Sequence, residues 1–336
     1  MNEVAVLIIS LGIILIGAEV FVNGVEWLGK VFNLSEGAVG SVLAAVGTAL
    51  PETLIPIIAI VFGHGQHGHE IGIGAILGAP FMLSTLAMFV TGVAVFAFSR
   101  RRRTGSKVVV DYSNMSRDLG FFIIVYALAV LTGIIPAGFR TLKIIIACVL
   151  VIAYFSYVFL TVKQERSIES DQQLPCCYFA RQQACPSSLI IILQVLVALG
   201  LIILGANLFV SAIEQVAAMY AVPAFILALI ITPIATELPE KFNSVIWISR
   251  GKDTLALGNI TGAMVFQSSL IPALGILLTD WQLNSSALLC ALIAILSAAF
   301  IFWELQSKKH LTNLTLMMGG IFYGMFLLGV LNGIIS

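Results

Sequence analysis

The sequence predicts an all-α membrane protein of ten transmembrane helices, arranged as two inverted five-helix repeats. Three observations carry that expectation. Of the 336 residues, 60% are hydrophobic and 10% charged; apolar runs long enough to cross a bilayer recur along the chain; and the second half repeats the first. A soluble domain carries about 25% charged residues. A mean hydropathy of +1.06 leaves more apolar surface than a soluble core can hide, whereas a bilayer can receive it.

A spanning helix needs about 20 mostly apolar residues. The runs between polar breaks place the spans at 4–27, 36–62, 71–98, 118–135, 141–162, 187–216, 223–249, 254–278, 285–305 and 312–334. The first run lacks the basic start and small-residue cleavage site of a signal peptide, so it is expected to be retained. Lys and Arg set the orientation, because cytoplasmic loops collect them. With both termini outside, 14 of the 17 basic residues fall on cytoplasmic loops, among them Arg100 to Arg103, Arg250, Lys252, Lys308 and Lys309. Arg140 and Lys143 fall outside, and Lys241 falls within a span.

The repeat fixes the plan. Residues 11–26, LGIILIGAEVFVNGVE, align without gaps on 199–214, LGLIILGANLFVSAIE. The same offset of 188 sets Thr48, Leu50, Pro51 and Glu52 over Thr236, Leu238, Pro239 and Glu240. A slightly shorter one sets GAILGA at 74–79 over GNITGA at 258–263. The organisation is therefore a first repeat at 1–162, a short cytoplasmic linker at 163–186 and a second repeat at 187–336. Five spans per repeat force the second copy to enter from the opposite side, and folds of that kind place a substrate site near the bilayer midplane, often at broken helices.

Two segments carry the chemistry: GTALPETLIP at 47–56 and ATELPEKFNS at 235–244. In each, a proline removes a backbone donor and frees a carbonyl one turn earlier, and a glutamate follows. A charge at mid-membrane costs at least about 2.5 kcal/mol, so Glu52 and Glu240 at matching positions point to function rather than packing. Two carboxylates with freed carbonyls and the hydroxyls of Thr48 and Thr236 form an all-oxygen environment suited to hard cations such as Ca²⁺ or Na⁺. A divalent ion balances both glutamates, and its replacement by monovalent ions or protons leaves the site neutral, which is the basis of an exchange cycle. The expected partners are small inorganic cations and the lipid bilayer. A formal net charge of zero gives no basic patch for nucleic acid. Ca²⁺ and Na⁺ or H⁺ enter as transported substrates, and no cofactor is expected. The sequence contains no HExxH or GxSxG segment, so an enzyme is not expected either.

These segments resemble the two alpha repeats of the calcium/cation antiporter superfamily, particularly sodium/calcium exchangers, and the Gly-x-x-x-Gly segments at 74–78 and 258–262 match the helix that follows in each repeat. The resemblance implies that Glu52 and Glu240 bind Ca²⁺, that Thr48 and Thr236 add oxygen ligands, and that flanking sites take Na⁺. The first helix of each repeat would slide against the rest. The chain departs from the pattern at Ala49 and Glu237, where the family has serine, and at Leu83 and Gln267, where it has Asn or Asp. Glu237 precedes Lys241 by four residues, a spacing that permits an ion pair. Lys241 then either acts as an internal counter-cation in place of a sodium ion or only neutralises Glu237. Proton-coupled or monovalent cation exchange, and a non-transporting ion-binding protein, stay open on these departures. The expected location is a prokaryotic cell membrane.

Further polar residues lie within the spans. Glu19 and Asn207 are repeat equivalents, and Glu19 could line an access path; Glu26 and Glu214 read as residues near helix ends that reach water. Asn259 and Gln267 are candidates for ion contact, although close helix packing alone would account for the glycines near Asn259. The segment HGQHGHE reads as an outward loop in which His64, His67 and His69 either bind a transition metal or form a polar turn. Of five cysteines, Cys148 and Cys290 lie in apolar stretches, and Cys176, Cys177 and Cys185 lie in the linker without zinc-site spacing, so free thiols are expected.

Overall fold

A computed structural model describes residues 3–31, 44–63, 65–164, 176–181 and 186–333, with 183 and 335. The described chain is nearly all helical. It forms α1 Glu3–Val31, α2 Ala44–Phe62, α3 Gly65–Met82, a π-helical turn Leu83–Ala87 and α4 Met88–Phe98. These are followed by α5 Tyr112–Thr132, α6 Arg140–Gln164, α7 Ser188–Tyr220, α8 Ala224–Ser249, α9 Asp253–Leu278, α10 Ser285–Lys308 and α11 Asn313–Leu331. Among the described residues, eight helices are long and apolar enough to cross a membrane, and Glu52–Phe62 and Ala224–Glu237 are shorter apolar stretches. Large apolar side chains such as Ile16, Phe155, Phe159 and Leu204 point outward, as expected where lipid rather than water is the solvent.

Several boundaries differ from the sequence expectation. The histidine segment is not a loop: α3 begins at Gly65, so His67, His69 and Glu70 lie on its exposed first turns, while His64 lies outside the described residues. α5 starts at Tyr112 rather than near 118, because Asp111 caps it by accepting from Asn114 N at 3.1 Å and satisfies a donor that the first turn cannot. α7 runs on to Tyr220.

Helix direction is legible from the close approaches at glycines. A Cβ added at Gly205 would meet Ile14, one at Gly17 Ile202, and one at Gly24 Val195, so α1 and α7 run antiparallel in close contact. A Cβ at Gly74 would lie 2.5 Å from Phe225 O, and one at Gly78 2.2 Å from Leu229 O, so α3 runs parallel to α8. Pro233 cannot donate to Leu229 O, and Gly78 lets α3 sit directly on that freed carbonyl. Replacing Gly78 by Ala is therefore expected to cost about 1–3 kcal/mol through overpacking. Gly262→Ala, at an open position on α9, should instead gain up to about 1 kcal/mol in helix propensity. Melting temperatures in detergent micelles would show shifts of opposite sign.

α9 is pinned at both ends. Asp253, in its first turn, forms a 2.6 Å ion pair with Arg102, both side chains being almost wholly buried. Arg102 also donates to Ile248 O at 3.1 Å, and Val109 N donates to Asp253 Oδ2 at 3.0 Å. At the other end Arg140 donates to the carbonyls of Ile276, Leu277 and Thr279 at 2.6–2.7 Å. Lys143 donates to Asp280 O at 2.6 Å and Trp281 O at 3.2 Å. Orphan carbonyls and the negative end of the helix dipole favour cations there. That requirement explains two of the basic residues that the charge-based topology left on the outer side.

The largest apolar cluster joins α3 to α6 and α8 to α11, with Ile60 of α2. A second links α1, α2, α7 and α8, with Ile71 of α3. Two small ones lie along the α1–α7 contact, the second including the linker residues Cys177 and Ala180.

Candidate functional site

α8 carries the second Pro-Glu segment and remains helical from Ala224 to Ser249. The expectation of a broken helix is corrected at this point. Pro233 and Pro239 leave carbonyls without their helical donors, yet the turns on either side hold the helix together. Thr236 and Glu237 are each 3% exposed. The Thr236 hydroxyl donates to Thr232 O at 3.0 Å, which leaves its oxygen lone pairs available. Thr232, one turn earlier, is buried, and its hydroxyl oxygen has no hydrogen-bond partner.

α9 faces this stretch with Gln267. Its amide nitrogen donates to Glu237 Oε1 at 3.2 Å, while its carbonyl oxygen is buried without a partner. A buried acceptor left unmade costs about 1–3 kcal/mol. The open Gln267 oxygen, on the amide that bonds the buried Glu237 carboxylate, describes a place for an electropositive guest, and the open Thr232 oxygen lies on the same helix as Glu237. On α2, Glu52 is 6% exposed. The side chains of Thr48, Glu240 and Lys241 lie outside the described residues, so the Glu237–Lys241 alternatives stay where the sequence left them.

The structure treats the two Gly-x-x-x-Gly segments differently. Gly74 and Gly78 are packed on the α8 backbone, whereas Gly258, Asn259 and Gly262 lie on an exposed face of α9. Packing accounts for the first pair and not for the second. Leu83 is fully buried at the start of the π-helical turn, a distortion that recurs at functional sites. Ser297 donates to Ser84 O there at 2.7 Å.

The remaining candidates separate. Asn207 is exposed and donates back to Ile203 O of its own helix at 2.8 Å. Glu19 is exposed and accepts from the Tyr178 hydroxyl at 2.8 Å. Asp118, placed by the sequence at the edge of a span, is instead buried inside α5. It accepts from Tyr157 of α6 and, at 2.7 Å, from Thr261 of α9. The span boundary set at 118 concealed it; its position well inside the helix depends on the Asp111 cap. Among the described residues, no group of three or more His, Cys, Asp or Glu side chains could hold a metal ion, and Cys148, Cys176, Cys177 and Cys290 are free thiols.

A bundle of apolar helices with carboxylates turned into its interior defines the class, an integral multi-pass membrane protein. The family model for sodium/calcium exchanger proteins matches residues 2–163 and 190–333, and the chain belongs to that family of transporters. It is 24% identical over 259 residues, 76% of each chain, to an uncharacterized membrane protein of Methanocaldococcus jannaschii. It is 22% identical over 95% of its length, and 97% of the relative's, to the putative antiporter CaxA of Alkalimonas amylolytica. Among solved structures, an H⁺/Ca²⁺ exchanger, CAX, superposes with a TM-score of 0.74 at 17% identity, covering 98% of this chain and 82% of that one. The sodium-calcium exchanger NCX_Mj superposes at 0.57 with 19% identity and 97% coverage of both. These likenesses extend the agreement to the fold.

Proposed function

We propose that the protein is a secondary active antiporter that exchanges Ca²⁺, or a similar hard cation, for Na⁺ or H⁺ by alternating access. The site lies at the midplane between two inverted five-helix halves, 1–162 and 187–336, with both chain termini outside. One observation carries the reading: a buried carboxylate, Glu237, meets Gln267 across the α8–α9 contact, and the buried oxygens of Gln267 and Thr232 have no donor. Glu52 on α2, Glu240 and Thr236 on α8 and Thr48 complete the oxygen set, with Asn259 on the approach. The antiparallel α1–α7 pair and the parallel α3–α8 pair are the directions that inverted halves require.

The Glu237–Gln267 contact also makes sense of two departures from the family pattern together. Where the pattern has a hydroxyl on one helix and Asn or Asp on the other, this chain has a carboxylate on α8 and an amide on α9. The acid lost from one side is supplied from the other, within one hydrogen bond of the same place. Glu52 and Glu240 balance a divalent ion, and Glu237 is matched by Lys241 or by one further monovalent cation.

Reconstituted protein loaded with ⁴⁵Ca²⁺ tests this reading, with Na⁺ and pH gradients imposed separately. Ca²⁺ release driven by either gradient supports it, and no release under both sinks it. A second reading, monovalent or proton-coupled exchange without Ca²⁺, draws on Leu83, which puts a fully buried apolar side chain where the family pattern has a polar one. Counterflow of Na⁺ against H⁺ that Ca²⁺ does not inhibit would select it.

A further inference from the structure

A charge buried within a membrane helix is costly and marks function by default, and Asp118 of α5 is one outside the proposed exchange site. It is 6% exposed. One of its oxygens accepts from the Tyr157 hydroxyl of α6, and the other accepts from the Thr261 hydroxyl of α9 at 2.7 Å. Both donors are set up for it. The Tyr157 ring centroid lies 4.9 Å from that of Phe121 and 5.3 Å from the Arg117 guanidinium, so two side chains of α5 hold its direction. Thr91, Thr132 and Thr236 turn their hydroxyls back to the carbonyls of Ala87, Leu128 and Thr232, one turn earlier on their own helices. Thr261, fully buried, instead reaches out of α9 to Asp118.

α9 depends on such an anchor more than its repeat counterpart α3 does. Gly74 and Gly78 seat α3 directly on the α8 backbone, whereas a Cβ added at Gly258 or Gly262 would meet nothing within 4 Å. The glycine face of α9 therefore does not set its rotation. Apolar contacts on its other faces are non-directional and tolerate a small turn or slide. Directional bonds from the α4–α6 region fix it instead: Arg102 at Asp253, Arg140 at the last carbonyls and, between them, Asp118 at Thr261. Thr261 precedes Gln267 by six residues, and the helix carries its setting over that distance, about 9 Å. Gln267 is the α9 residue that meets Glu237.

We propose that Asp118 is a positioning residue for cation binding: through Thr261 it fixes the rotation of α9 and so keeps Gln267 on the Glu237 carboxylate. The clamp stands on these contacts alone, and its effect on Ca²⁺ rests on the antiporter reading. A carboxylate offers an acceptor to each hydroxyl. An amide at 118 accepts from one of them and turns N–H groups towards the other, so one side of the clamp is lost.

In reconstituted full-length protein, Asp118→Asn is expected to raise the Ca²⁺ concentration for half-maximal counterflow about tenfold, the worth of a hydrogen bond to a charged group. The maximal rate should stay within about twofold, as when binding alone is weakened. Thr261→Val, which keeps the side-chain shape, should do the same and serves if Asp118→Asn does not fold. Neither should add to the effect of Gln267→Ala, because a residue acting through Gln267 then has nothing to position; ⁴⁵Ca²⁺ binding reads this where counterflow is too slow. Amide hydrogen exchange over 254–266 reads the clamp without any flux and should speed about tenfold in both variants. An unchanged half-maximal Ca²⁺, a loss of maximal rate alone, or effects that multiply with Gln267→Ala overturn the positioning role. Exchange over 254–266 equal to that of the unsubstituted protein overturns the clamp. Faster exchange in the variants, with no counterflow even from the unsubstituted protein, overturns the antiporter reading and leaves the clamp standing.

Discussion

Glu52→Gln is expected to lower Ca²⁺ counterflow by at least about 30-fold, the effect of losing roughly 2 kcal/mol or more from a buried charged contact. The substitution keeps the volume and the hydrogen-bonding reach of the side chain and removes only its charge. Glu52 is 6% exposed on a helix without a basic residue in its first or last turn. A carboxylate in that position pays a desolvation cost that a bound cation offsets. Without the charge, a divalent ion would enter a site holding one balancing acid fewer, and the cost would fall on binding before any conformational step. The measurement is ⁴⁵Ca²⁺ efflux against a Na⁺ and then a pH gradient, with melting temperature as the check on folding. A glutamine of the same volume should leave the melting temperature nearly unchanged if the charge serves the transported ion rather than the fold. Ordinary flux in a folded Glu52→Gln protein would remove Glu52 from the site. A large fall in melting temperature would assign it to structure instead.

The fold was legible to the extent that it depends on hydropathy. The long apolar stretches of α1, α7, α10 and α11 announce helices, since in lipid the backbone must satisfy itself. Local capping was harder to see: Asp111 extends α5 by a full turn and more, and the glycine-rich histidine segment is wound into α3. The proline segments were read as breaks, because removing a donor is visible in sequence whereas the support of the surrounding turns is not. At the site, Glu237 and Gln267 were separately visible as departures from a pattern. Their contact joins residues 30 positions apart, and no spacing rule reports such a pair. Polar residues that serve the scaffold were the least legible. Arg140 and Lys143 read as exceptions to a charge rule, yet they serve the carbonyl end of α9, and Asn23 and Gln194 are ordinary amides in sequence although the backbone of residues 176–179 rests on them.

Arg102 shows the same gap between composition and role, and it carries the second large effect. By sequence it is one of four consecutive arginines counted towards orientation. In the structure its neighbours Arg100, Arg101 and Arg103 are exposed, while its own side chain is 1% exposed and pairs with Asp253 at 2.6 Å. The pair binds the α4–α5 connection of the first half to the first turn of α9 in the second. Arg102→Gln leaves Asp253 buried with its charge uncompensated, for which about 3–5 kcal/mol is expected. Arg100→Gln and Arg101→Gln, on the solvated side of the same run, should stay within about 0.5 kcal/mol. Thermal unfolding in micelles measures both. The double substitution Arg102→Gln with Asp253→Asn is the sharper comparison, because removing both charges takes away the penalty along with the attraction. It should recover most of the loss. A double variant no more stable than Arg102→Gln would mean that the guanidinium contributes through its bonds to Ile248 O and Lys107 O rather than through the pair.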